Sequence, residues 1–256
     1  MPRSYDRGNR TELQTYQEFE PDNQSMIGRM VGIIRRPRAT FQAVVAAPRW
    51  VGLLAVLFCL SAGVNALFLA TAVGQQALVD QWERTALAFG QDVDDARYEE
   101  LQELSRQGTV FAVLNQLVRG PLTVVVVAVL VAGAFRFGGV SRHRPAFRQV
   151  LAVVAYSTVI LTVREIMAAP INYARETIAA PTTLVQLFPV ANAASPAARF
   201  FGLIDVFVAW WLVVLAVGLS VLYARRTWPI LAGLFGVYAG VALALAAAMA
   251  ILGGTI

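Results

Sequence analysis

Few side chains in this sequence are suited to chemistry. Among its 256 residues there is one histidine, His143, and one cysteine, Cys59. His143 lies in the basic stretch SRHRP, whereas Cys59 lies inside a long apolar run, so neither a Cys–His pair nor a catalytic triad is expected. The sequence also has no glycine-rich phosphate-binding motif and no His–Glu zinc motif. It therefore predicts a protein that is not an enzyme and that holds no cofactor or metal ion.

Polar side chains inside apolar segments are the other candidates. They are Asn65, Arg119, Arg164, Glu165 and Asp205. At a rise of 1.5 Å per residue, four of them lie roughly 24–30 Å from an arginine at the far end of their own segment. Charges at such a depth must pair with one another or reach water. We predict a polar cluster around Arg164 and Asp205, serving either as a structural ion-pair network or as an outward-facing site for a lipid headgroup or partner. The alternative is that each charge reaches the outer headgroups separately.

The elements that position these residues are membrane-spanning helices. Hydrophobic residues make up 57% of the chain and charged residues only 14%, against about 25% charged in soluble domains. A span needs about 20 apolar residues. Five segments qualify, at about 50–74, 112–137, 149–169, 200–223 and 228–253. The expected fold is an all-α, polytopic membrane helix bundle with five transmembrane helices.

The arginines predict the orientation of the bundle. All 21 basic residues are arginine; five spans place 14 of them on the side of the N-terminus and 7 on the other. Because cytoplasmic loops carry the excess of positive charge, the N-terminus is expected in the cytoplasm and the C-terminus outside. The arginines are divided among several loops, so no nucleic-acid partner is expected. Arginine without lysine, together with much Ala, Gly and Val, indicates a GC-rich genome and hence a bacterial inner membrane.

The segment before the first span has two parts. Residues 1–24 are polar and aperiodic, which predicts a flexible cytoplasmic tail. Residues 25–47 combine helical apolar spacing with basic residues, and Pro37 interrupts the pattern. The basic residues are Arg29, Arg35, Arg36 and Arg38. This pattern predicts one or two amphipathic helices lying along the inner leaflet, with the arginines on anionic lipid. Alternatively, the segment caps the cytoplasmic mouth of the bundle.

The loop after the first span is strongly acidic. Residues 75–108 contain eight acids and three arginines, a net charge of −5. Their pattern predicts two helices, an external hairpin that is either simply solvated or bound to a cationic partner. A calcium loop is disfavoured because DVDDARYEE lacks the turn glycine.

The last span carries a small-residue pattern, Gly236-x-x-x-Gly240, preceded by Ala232. Small residues allow two helices to approach closely within a membrane. The pattern predicts association of this helix with another one, either inside the bundle or in a second protomer.

Three stretches resemble the bacterial Yip1 family. RRPRATFQAVVAAP, with Pro37 and Phe41, is similar to the family's cytoplasmic entry motif. The stretches FRQVLAVVAYSTVI (147–160) and GLIDVFVAWWLVVLAVGLSVLY (202–223) are similar to its third and fourth spans. The similarity covers about residues 27–245, in the family's order. It implies a five-helix integral membrane protein with a cytoplasmic N-terminus, and it marks residues 25–253 as a Yip1-like membrane domain.

Three classes of function are compatible with these features. The first is a non-enzymatic membrane protein that binds or organises lipids or a membrane-protein partner, including a second copy of itself. The second is a transport component, because intramembrane charges often mark pathways, although no internal repeat supports it. The third, a membrane enzyme, has few groups to work with.

Overall fold

The computed structural model describes residues 25–88, 91–137, 145–178, 180–187 and 196–252. These residues form twelve helices, and the only strand-like pairing among them is an isolated bridge between Thr183 and Asp205. The helices are α1 (Met26–Arg35), α2 (Pro37–Ala46), α3 (Val51–Leu69), α4 (Ala72–Ala88), α5 (Asp95–Ser105), α6 (Gly108–Phe137), α7 (Phe147–Ser157), α8 (Val159–Ala174), α9 (Leu184–Leu187), α10 (Pro196–Leu203), α11 (Val206–Leu222) and α12 (Thr227–Leu252). The predicted tail, residues 1–24, and His143 lie outside the described residues.

Four helical segments are long and apolar enough to cross a membrane. They are Val51–Leu69, Gly108–Arg136, Phe147–Ala174 and Thr227–Ala248. The third of these consists of α7 and α8, which meet at Thr158 and extend the predicted span 149–169 at both ends. The first is shorter than predicted, because α3 ends at Leu69 and the following residues belong to α4.

The predicted span 200–223 is not one continuous helix. Asp205 adopts an extended backbone (φ −107°, ψ 129°) and forms the bridge to Thr183. Its side chain accepts hydrogen bonds from the amides of Phe207 and Val208. An aspartate that bonds to nearby backbone amides starts a new helix rather than continuing an old one. The apolar segment is therefore divided into α10 and the 17-residue α11.

The core lies around α7, whose residues from Val150 to Ser157 are all buried. α3, α6 and α11 contact α7, and α11 supplies apolar side chains such as Leu215 and Leu219. By contrast, α6 and α12 form the periphery, since only 17% of the residues in the most apolar stretch of each helix are buried.

The segment before α3 packs into the bundle instead of only resting beside it. Phe41 and Val44 of α2 are completely buried, and α2 contacts α7 and α11. At Gly218 of α11, a Cβ atom would lie 2.9 Å from Phe41 Cζ and 2.6 Å from Val153 Cγ1. Because only a glycine allows α2 this close to α11, Gly218 makes room for the Phe41 ring between α7 and α11. The predicted bend falls at Arg36, directly before Pro37.

Two helices, α4 and α5, lie in the acidic stretch after the first span. α4 and α5 pack together, and Gln76 Nε2 donates a hydrogen bond of 2.9 Å to the Tyr98 hydroxyl. Asp94 caps α5 by accepting from the amide of Arg97. Arg97 and Arg106 form ion pairs with Glu100 and Glu103.

Candidate functional site

Asp205 is the centre of a buried polar site between α8 and α11. Its position before the first turn of α11 directs one carboxylate oxygen to the helix amides, at 2.8 Å from the nitrogen of Phe207. The other oxygen, Oδ2, lies 2.7 Å from Arg164 Nε and 2.7 Å from the Thr182 hydroxyl. The side chain of Asp205 is 6% exposed and that of Arg164 is 29% exposed. Both charges are thus largely removed from solvent and compensated.

The chain on either side of Asp205 is held by Tyr238 of α12. The Tyr238 hydroxyl accepts a hydrogen bond of 3.0 Å from the Asp205 amide and donates one of 2.9 Å to the Leu203 carbonyl. We call Arg164, Thr182, Asp205 and Tyr238 the polar junction. Through these four side chains the junction connects α8, the segment before α9, α11 and α12.

A cavity of about 320 Å³ adjoins the polar junction. It is lined by Asn65, Arg164, Glu165 and Asn172, among other residues. Asn65 donates to the Ser61 carbonyl in its own helix, at 2.9 Å. The Oε2 atom of Glu165 is buried without a partner among the described residues.

The structure brings four of the five predicted cluster residues to this region and leaves Arg119 out. Arg119 is exposed on α6, and no ion pair or hydrogen bond joins it to the other four in the described chain. Counting residues gives the depth of a side chain along a helix but not the direction in which it points. For this reason Arg119 shares the predicted level without sharing the site.

Two residues of the polar junction, Thr182 and Tyr238, were missed by sequence reasoning. Thr182 lies in an irregular segment without periodicity, and Tyr238 is an aromatic residue in an apolar span, where its ring alone accounts for its presence. The only usable signal was the need of a buried carboxylate for more than one partner.

Arginines gather at the opposite end of the bundle, which we call the basic end. Arg35, Arg36 and Arg38 are exposed there, and Arg29 is half-buried. A cavity of about 660 Å³ is lined by Arg38, Arg225 and Arg226. A second cavity, of about 380 Å³, is lined by Arg29 and Arg49. In the described residues none of these arginines forms an ion pair with an acid.

The small-residue pattern of α12 is not used for packing inside this chain. A Cβ atom placed on Gly236 or Gly240 would have no neighbour within 4 Å, and both residues are exposed. The sequence left two possibilities open for the pattern, contact with another helix of the bundle or with a second protomer. Gly236 and Gly240 do not make the first kind of contact within the described residues.

Possible metal ligands do not cluster in the part of the chain that the structure describes, where no three His, Cys, Asp or Glu side chains come together. Chemically, the polar junction can fix helix register, and the basic end can attract anions.

The fold defines a class of protein. An all-helical chain with four apolar helices of spanning length is a multi-pass membrane protein. The Yip1 domain model matches residues 31–252. The chain therefore belongs to the Yip1 family, which confirms the resemblance drawn from its three sequence stretches. Searches of curated proteins and of solved structures give no significant match.

Proposed function

We propose that this chain is a non-enzymatic integral membrane protein that organises lipids or a membrane partner around its outer helices. The observation that carries the proposal is the exposure of α6 and α12. Only 17% of the residues in the most apolar stretch of each helix are buried. Exposed apolar side chains on these two helices include Leu122, Leu130, Val237 and Leu243. In a membrane such surfaces are covered by lipid tails or by another protein.

The proposed topology has five spans in a bacterial inner membrane, with the N-terminus in the cytoplasm. α11 serves as the fourth span, since its 17 residues cover about 26 Å and its flanking residues add to that length. The 14-to-7 division of the arginines supports the orientation. Reporter fusions at Ile256 and within residues 75–108 test it. Both should report the outside, and a cytoplasmic signal from Ile256 would refute the topology.

α1 is proposed to lie in the headgroup region. Ile27, Val31 and Ile34 recur at helical spacing and are 69%, 45% and 41% exposed, while Arg35 beside them is exposed as well. An apolar stripe next to basic residues suits an interface rich in anionic lipid. Spin labels placed along residues 25–36 should give depth profiles with a helical period, whereas a uniformly aqueous profile would argue against this placement.

A second copy of the chain is the proposed partner for α12. Gly236 and Gly240 leave open space where close contact between helices needs small residues. Energy transfer between labelled copies in vesicles measures the association. Gly236→Leu should abolish the transfer, whereas Gly133→Leu on α6, which also has open space beside its Cβ, should not. Equal transfer in both variants would exclude α12 as the contact.

Transport remains a second candidate because of the cavity that holds Glu165 and Arg164. The scaffold role is preferred, since fully buried apolar residues, among them Val153, Leu215 and Phe41, lie between the polar junction and the basic end. Proton flux into vesicles that contain the protein distinguishes the two roles. We expect flux equal to that of empty vesicles, and a flux abolished by Glu165→Gln would favour transport.

A further inference from the structure

The geometry points to a binding site for the phosphate group of an anionic glycerophospholipid in the cavity between α1 and the start of α3. This inference rests on the proposed lipid-organising function and names one specific contact for it. The cavity measures about 380 Å³ and is lined by Met26, Arg29, Arg49, Trp50, Gly52 and Tyr156, among others. We call it the arginine cavity. No acid lines it.

Arg29 supplies the first indication of a ligand. Its Nε atom is buried and has no hydrogen-bond partner among the described residues. A buried N–H group without an acceptor is costly, and more so when it is charged. Arg29 lines the cavity, so an anion bound there lies against the Arg29 side chain. A phosphate oxygen forms a charge-assisted hydrogen bond with a guanidinium.

The start of α3 supplies the second. The first amides of a helix have no acceptor inside it, and the N-cap residue of α3, Trp50, makes no capping hydrogen bond with its side chain. Val51 and Gly52, from the first turn, line the same cavity. A helix N-terminus favours an anion through these amides and through the helix dipole. Gly52 keeps the approach open, because a Cβ atom there would meet nothing within 4 Å.

Arg49 is the third element, and its backbone is fixed. Its carbonyl accepts a hydrogen bond of 3.1 Å from the hydroxyl of Tyr156, a residue of α7 that is only 2% exposed. Its amide donates to the Ala47 carbonyl, at 2.9 Å. The linker between α2 and α3 is therefore anchored to the core. This anchoring holds the Arg49 backbone beside the cavity that Arg29 of α1 also lines.

The location of the cavity identifies the source of the phosphate. α3 is a candidate span, so its first turn lies at the boundary of the hydrocarbon, where lipid phosphates are found. The cavity is bordered by apolar side chains that are themselves exposed, Met26 at 37% and Val51 at 64%. They provide a path for acyl chains away from the phosphate. Two arginines and a helix N-terminus favour a lipid with net negative charge over a zwitterionic one.

The test measures binding of phosphatidylglycerol to the full-length chain in detergent by native mass spectrometry, with phosphatidylcholine for comparison. Arg29→Gln and Arg49→Gln should each weaken phosphatidylglycerol binding about tenfold, because each removes a charge-assisted hydrogen bond. Gly52→Leu should abolish phosphatidylglycerol binding, since the leucine side chain fills open space beside the cavity without a clash. Arg35→Gln on α1 and Gly63→Leu on α3, whose Cβ is equally unobstructed, are the matched controls and should stay within twofold.

Three results would overturn the inference. Equal losses in the control variants would show general attraction to the surface, and equal binding of phosphatidylcholine would remove the selection for negative charge. Thermal stabilisation by inorganic phosphate as large as that by the lipid would assign the cavity to a soluble anion.

Melting temperatures without lipid identify a variant that fails to fold, and Arg49→Lys, which keeps the charge, should bind better than Arg49→Gln. Self-association through α12, measured on the same variants, should not change, so failure of this site is separable from failure of the proposed function.

Discussion

The charged residues of the polar junction and those of the basic end differ in whether they have partners within the chain. At the polar junction, Asp205 has a partner for each carboxylate oxygen: Arg164 and Thr182 on one, and the amides of Phe207 and Val208 on the other. At the basic end, the described arginines make no ion pairs, and Arg29 has a buried nitrogen without an acceptor.

This difference separates a structural site from a binding site. Groups that satisfy one another inside the chain lower the cost of burying charge and fix helix positions, so they have little capacity left for a ligand. Groups that lack internal partners retain that capacity. The comparison therefore assigns stability to the polar junction and recognition to the basic end, and the following predictions test that division.

Asp205→Ala should have the largest effect on stability. It removes the cap of α11 and leaves the partly buried Arg164 without its carboxylate, for a loss of about 3–5 kcal/mol in the free energy of unfolding. Thermal or denaturant unfolding in detergent measures it. Asp205→Asn, which can still cap the helix, should lose less.

The double variant Asp205→Arg with Arg164→Asp tests whether the pairing itself matters. It should recover part of the loss seen with Asp205→Arg alone, because opposite charges again face each other. Recovery will be incomplete, since arginine cannot accept from the amides of Phe207 and Val208. If Asp205→Ala left the free energy of unfolding unchanged, the polar junction would have no structural role.

Phe41→Ala should have the next largest effect on stability. It tests whether the basic end has a structural element of its own. The ring is fully buried against Gly218, and its removal leaves a cavity between α2 and α11 that costs about 3 kcal/mol. Gln42→Ala, an exposed neighbour on α2, is the control and should change stability by less than about 0.5 kcal/mol. Equal small effects in both variants would show that α2 is only loosely attached.

Sequence reasoning predicted much of the polar junction because depth follows from counting residues along a helix. Arg164 and Asp205 were placed at one level from the rise per residue alone. The same reasoning could not give the azimuth of a side chain, which is why Arg119 was grouped with them. Nor did it predict that Asp205 would cap α11 and interrupt the segment 200–223, because the apolar residues on both sides of Asp205 are typical of one continuous span.

The basic end was predictable in its parts but not in its arrangement. The apolar spacing and Pro37 predicted one or two helices with a bend near Pro37, and the structure contains two helices that meet at Arg36. Membrane contact and capping of the bundle were both open from sequence, and burial of Phe41 and Val44 gives α2 a packing role. The arginine cavity depends on the fold, since it joins Arg29 to residues about 20 positions later in the chain.

Trp211→Phe should have a smaller effect on stability, because it removes only one neutral hydrogen bond. Trp211 lies between the two ends of the bundle. The Trp211 indole nitrogen donates to the buried Ser157 hydroxyl at 2.9 Å, beside the junction of α7 and α8. Loss of this bond should lower the free energy of unfolding by about 1 kcal/mol. Ser157→Ala should cost a similar amount, and the double variant should cost less than the sum if the two side chains act as a pair.

Arg29→Gln should have the smallest effect on intrinsic stability and gives the sharpest contrast with Asp205→Ala. In lipid-free detergent, no protein acceptor is lost with the guanidinium and a buried N–H group without a partner is removed, so the variant should be no less stable than the wild-type chain. Added phosphatidylglycerol should then stabilise the wild-type chain, by about 1.4 kcal/mol when the lipid is at ten times its Kd. The variant should gain far less, because its Kd is higher. A large loss without lipid would mean that Arg29 is structural after all, and the two ends of the bundle would then not differ in the way their charges suggest.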